Sequence, residues 1–134
     1  MQHLDDDAFL TRFECLDLGP EYFDNRGHLR MGWLHLRRYG LTVGSARLCD
    51  GIRRLAEKFG APGKFNHTLT EALMRIMSTR MRETDASDFD AFLTHNPGLV
   101  NDARGLLARH YSDPLLNSDE ARAGWVEPDR VALH

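Results

Sequence analysis

Residues 25–40, NRGHLRMGWLHLRRYG, carry the clearest pattern in this chain. At about 100° per residue, Arg26, Arg30, Arg37 and Arg38 fall on one side and Leu29, Trp33 and Leu36 on the other. The segment reads as an amphipathic helix from Asn25 to Tyr39, stopped by Gly40. The same periodicity recurs on both sides of it, and no stretch alternates apolar and polar residues over several positions. That combination predicts an all-α fold, a compact single-domain helical bundle of about six or seven helices over residues 1–134.

Upstream, a first helix fits Asp7 to Cys15, with Phe9, Leu10 and Phe13 on one face and Leu18-Gly19-Pro20 as its stop. Downstream, Ser45 to Phe59, closed by Gly60, gathers Leu48, Ile52, Leu55, Ala56 and Phe59 on one arc. After the turn Ala61-Pro62-Gly63-Lys64 a fourth helix runs to about Arg82, with Thr68 or Thr70 as cap. Ser87 caps a fifth carrying Phe89, Phe92 and Leu93, which must end near Asn96-Pro97-Gly98. Asn101 opens a sixth with Leu106 and Leu107, Ser118 a brief seventh reaching Trp125, and a loose tail starts near Glu127.

The 134 residues are 42% hydrophobic and 28% charged, which excludes a disordered or collagen-like chain. Twenty acidic residues against 17 basic ones leave a net charge of -3, and that balance argues against a partner held by summed positive charge. The arginine face of the second helix is expected to be solvated, because arginine outnumbers lysine 15 to 2 along the whole chain; no nucleic-acid partner is expected. No apolar run approaches the roughly 20 residues that cross a bilayer, and Asp5, Asp6 and Asp7 are unlike a basic leader. A cytoplasmic protein without a membrane partner is expected, with Cys15 and Cys49 reduced. Walker, dinucleotide, zincin and serine-hydrolase motifs are missing.

Two segments carry candidate chemistry. His28 lies inside the apolar arc of the second helix, with Asn25 three residues before it and Gly32 four after. A buried imidazole and amide need hydrogen-bond partners, and residues three apart address one common point, as metal ligands or acid-base pairs do. Gly32 either keeps room beside them or lets a neighbouring helix approach. Lys64 to Thr70 stands at the entry of the fourth helix, where free backbone N–H groups favour a polar ligand. Asn66 and His67 would complete a site begun by Asn25 and His28; the alternative is that Asn66 caps the helix and His67 is solvated. Arg80 shares the arc of Leu69, Leu73 and Ile76, so it either holds a ligand carboxylate or phosphate, or pairs with an acid of another helix. Met74, Met77 and Met81 are packing residues.

These stretches resemble a family of small all-helical bacterial proteins without an assigned activity. Its motifs read F-x-H-x-x-H-L-x-x-A-W-x-Y-L and K-[FY]-H-x-T-[IL]-T. The chain supplies Phe23, His28, Leu29, Trp33 and Leu36 for the first, and Lys64, Phe65, Thr68, Leu69 and Thr70 for the second. Asn96-Pro97-Gly98-Leu99, His110-Tyr111-Ser112 and Val126-Glu127-Pro128-Asp129 also resemble it, so the likeness covers nearly the whole chain. Asn25 and Asn66 stand where the family pattern has histidine. Asparagine is a weak ligand for zinc or iron and no general base, so a three-histidine metal site does not carry over intact.

Two functions follow as expectations. In the first, a small enzyme uses a buried His/Asn pocket between the second and fourth helices, with His28 and His67 as acid-base residues or ligands of a divalent metal ion. Asn25, Asn66, Thr70, Trp33 and Arg80 would bind a small polar or anionic substrate. In the second, the same face is a non-catalytic module that binds a small molecule or forms a homodimer, with Leu34 exposed.

Overall fold

A computed structural model describes residues 5–22, 24–84 and 88–133; Phe23 and the expected Ser87 cap lie outside them. Among the described residues there are eight α-helices and no strand, as the periodicity requires. The chain divides into two compact units, Met1–Pro62 and Gly63–His134, at the turn marked by Ala61-Pro62-Gly63-Lys64.

The first unit opens with α1, Asp6–Glu14. Its Asp5 cap accepts a hydrogen bond from the Ala8 backbone at 2.7 Å, and Asp6 and Asp7 sit in the first turn, where the helix dipole favours anions. Phe9, Leu10 and Phe13 form its buried face. The helix stops before Leu18-Gly19-Pro20, because Leu16 turns into the left-handed region at φ 58°. There Asp17 N donates to Arg12 O at 2.8 Å and Leu16 N to Phe13 O at 3.1 Å, the paired bonds of a Schellman ending.

After a 3-10 turn at Pro20–Tyr22, the helical stretch α2, Asn25–Lys58, is capped by Asp24. It is two arms, because Gly40 leaves helical geometry at φ 78°, ψ -178°. The first arm ends where the sequence puts it. The second begins directly after Gly40 and takes in residues 41–44, ahead of the expected start at Ser45. Close approach of the arms requires Gly44: a Cβ there would stand 2.7 Å from the carbonyl oxygen of His35. Gly60 at φ 73° closes the second arm with the same Schellman pair, Ala61 N to Ala56 O at 2.8 Å and Gly60 N to Glu57 O at 3.0 Å.

The second unit begins with α3, His67–Glu83, and continues through α4, Phe89–His95, and α5, Pro97–Asn101. It ends in α6, Ala103–Ala108, α7, Asp113–Leu116, and α8, Asp119–Ala123. The expected sixth helix is α6, which starts two residues past Asn101 with Asp102 capping it through Gly105 N at 3.1 Å, and the short α5 precedes it where only a stop at Asn96-Pro97-Gly98 was expected. A turn of helix at Asp113–Leu116, capped by Ser112, was not anticipated. Ala72, Leu107, Tyr111 and Leu116 form a buried core, against which Leu69, Ile76, Trp125 and Val126 pack.

The segment after Glu127, expected to be loose, is fastened instead. Asp129 accepts from Ser112 N at 2.8 Å and from the Ser112 hydroxyl at 2.5 Å. Arg130 N donates to His110 O at 3.0 Å and Val131 N to Arg109 O at 3.1 Å. Backbone N–H groups of the tail therefore match carbonyls just past the end of α6, a complementarity invisible to local composition.

Candidate functional site

In the first unit, Asn25 and His28 occupy the opening turn of α2, and both are exposed. This corrects the buried polar strip inferred from the helical wheel: an apolar arc is covered only where neighbours reach it. Burial becomes continuous from Met31 to Leu36. Gly32 and Trp33 are buried, and Leu34, expected at the surface, is 8% exposed. The protein packed around the His28 ring lowers its pKa, opposed by a hydrogen bond to the Asp24 backbone and by the Asp24 carboxylate. Solvent screens much of that effect, since His28 as a residue is exposed.

The deeply buried imidazole of this unit is His35, 1% exposed. Its Nδ1 lies 2.7 Å from Met31 O, and its ring meets Phe13 edge-on at 5.3 Å. Burial lowers the His35 pKa. Beside it Tyr39 donates its hydroxyl to Glu14 at 2.9 Å, and the Arg47 guanidinium lies 3.3 Å from the same carboxylate and 4.5 Å above the Tyr39 ring. The basic face of α2 meets acids of α1: Arg30 pairs with Asp6 at 3.0 Å and Arg38 with Asp7 at 3.3 Å.

In the second unit the structure brings Asn66, His67 and Thr70 together at the start of α3. Asn66 is the cap: its Oδ1 accepts from Leu69 N at 3.0 Å, its Nδ2 donates to Leu116 O at 2.7 Å, and its carbonyl accepts the Thr70 hydroxyl at 2.9 Å. Both ends of the amide are therefore engaged in holding the fold. Thr68 is fully buried and joins this helix start to the tail, donating to Gly124 O at 2.6 Å and accepting from Val126 N at 3.1 Å.

His67 is half-buried and lies 3.1 Å from Glu71, Nε2 to Oε1. The second carboxylate oxygen of Glu71 accepts from Arg75 at 2.8 Å, and the Arg75 guanidinium stacks 4.0 Å from the Trp125 ring. Trp125 in turn donates its indole N–H to Glu127 at 3.2 Å. Glu71 is not among the site residues expected from the sequence. The i, i+4 spacing from His67 was the signal that could have identified it as the imidazole's partner.

Arg80 donates to Asn96 Oδ1 at 3.0 Å, so its protein partner is an amide where an acid was expected. Asn96 is 3% exposed and anchors its own amide on Phe92 O at 2.9 Å. Burial raises the Tyr111 pKa to about 12, helped by Glu127, so its hydroxyl remains a donor, 2.7 Å from Val126 O.

The arrangement suits proton transfer better than metal binding. A carboxylate accepts hydrogen bonds, so Glu71 selects the His67 tautomer with hydrogen on Nε2, leaving the Nδ1 lone pair as proton acceptor. Among the described residues, no three His, Cys, Asp or Glu side chains come together as a set that could hold a metal ion. The donor set for a divalent ion at His28 or His67 is therefore not provided by those residues. Compared with known protein families, curated proteins and solved structures, the chain matches none of them.

Proposed function

We propose that this chain is a small acid-base enzyme acting on a small polar or anionic molecule, with His67 as its proton acceptor. The supporting observation is the contact of His67 Nε2 with Glu71 at 3.1 Å, in a carboxylate whose other oxygen is held by Arg75. A base oriented in this way keeps one tautomer and one ring direction, which general acid-base catalysis requires. Glu71 and Arg75 are positioning residues, and Asn66 builds the helix start from which His67 projects.

The test is a screen of small carboxylic acids, phosphate esters and amides, read by thermal shift and then by NMR of the mixture over time. A compound consumed by the wild type should be consumed at least about a hundredfold more slowly by His67→Ala, with Glu71→Gln in between. Equal turnover by His67→Ala overturns the assignment. A second reading is a binding module without catalysis, supported by the engagement of Asn66 and the Thr70 hydroxyl in the fold, which leaves them no part in chemistry. It expects a compound that stabilises the protein and is recovered unchanged.

A further inference from the structure

Among the described residues, two buried side-chain polar atoms have no hydrogen-bond partner: Nε2 of His35 and Oγ of Ser45. Both residues are in the Met1–Pro62 unit, one on each arm of α2, where the arms touch through Gly44 and the His35 carbonyl. Such orphans are rare inside proteins and call for a reason.

The chemistry at His35 is asymmetric. A carbonyl oxygen only accepts, so Nδ1, 2.7 Å from Met31 O, carries the ring hydrogen, and Nε2 presents a bare lone pair to the interior. Phe13 of α1 covers the ring edge-on, and Tyr39 lies 5.8 Å away on the same arm. Two charged groups act on the ring, Glu14 from α1 and Arg47 from the second arm. Glu14 already accepts from Tyr39 and Arg47 through the same oxygen, Oε2.

A proton added to Nε2 therefore makes a buried cation whose new N–H has no acceptor in place. Arg47 repels it, and Glu14, whose Oε2 already accepts from Tyr39 and Arg47, is the carboxylate drawn toward it. Phe13 and Glu14 are adjacent residues on the last turn of α1, so moving that helix removes the cover and frees the carboxylate in one step. Phe13 also rests on Gly51 of the second arm, where a Cβ would come within 2.4 Å of its ring. We propose that His35 is a proton-operated latch: uptake of one proton from solvent at Nε2 loosens α1 from both arms of α2. The loosened helix would expose Phe9, Leu10 and Phe13, all buried in the closed form. The latch does not depend on the His67 assignment, which belongs to the other unit.

Hydrogen exchange of the intact chain between pH 7.5 and 5.5, corrected for intrinsic rates, tests this. In the wild type the opening constant for residues 6–14 should rise by up to about tenfold per pH unit below the ordinary imidazole range, for one linked proton. Residues 67–83 should change less, and His35→Leu should abolish the rise. An equal rise in His35→Leu, or an equal rise along the whole chain, overturns the latch. Should His35→Leu not fold, the His35 ring resonances of the wild type are followed instead, and their midpoint must coincide with the loosening of α1. A ring that titrates while α1 stays protected overturns the proposal, as does α1 opening around a neutral ring.

Discussion

His35 and Thr68 show how one polar side chain in an interior can carry opposite consequences. Burial places the folded-state pKa of His35 below the ordinary imidazole value of about 6.5, so the unfolded chain takes up its proton first as pH falls. The stability associated with the neutral ring is complete above that value and is lost as pH drops toward the lowered one. Urea unfolding at pH 7.5, 6.5 and 5.5 should show wild-type stability falling faster than that of His35→Leu below pH 6.5. The difference is at most about 1.4 kcal/mol per pH unit. Thr68, by contrast, is satisfied as both donor and acceptor. Thr68→Val keeps the shape but leaves Gly124 O and Val126 N without their partner, and should cost about 1–3 kcal/mol in the same measurement.

At the scale of elements, the two Schellman endings make a natural pair. Gly60 adopts φ 73° without a side chain to object, whereas Leu16 holds φ 58° against its own Cβ. Leu16→Gly should raise stability by about 1 kcal/mol, and Gly60→Ala should lower it by a similar amount, both read as shifts in the thermal midpoint. Lys58 donates to Leu16 O, so the first of these endings is also tied to the last turn of α2. The break at Gly40 has a stricter requirement, since φ 78° with ψ -178° is a combination almost confined to glycine. Gly40→Ala should destabilise by about 1–3 kcal/mol. Its far-ultraviolet helical signal should survive, because both arms are helical in their own right.

For the whole molecule, the C-terminal segment is the most informative part. Asp129 is exposed, and its carboxyl is held below the ordinary range by the hydrogen bonds from Ser112, side chain first and backbone second. A depressed carboxyl contributes stability above its unfolded value and loses it as pH falls through the folded one, so this clasp is acid-labile. Removing residues 127–134 should lower the thermal midpoint at neutral pH, and Asp129→Asn should reproduce part of that loss. An unchanged midpoint in the truncated chain would show the clasp to be dispensable.

Helical class, the stops at Gly40 and Gly60, the Ser118 cap and the turn at Ala61–Lys64 were all legible in the chain, because periodicity, φ preference and capping are local properties. The candidate site was legible only in part. His67 was identifiable from its place at the start of a helix, and Glu71 lay one turn away in plain view. The exposure of Asn25 and His28, the amide partner of Arg80 and the fastening of the tail were not legible. A helical wheel says which side of a helix is apolar, but not how far along its length other segments cover it. Those outcomes depend on contacts between residues well beyond helical spacing along the chain, such as Phe13 with His35 or Ser112 with Asp129, and these form only when the chain has packed.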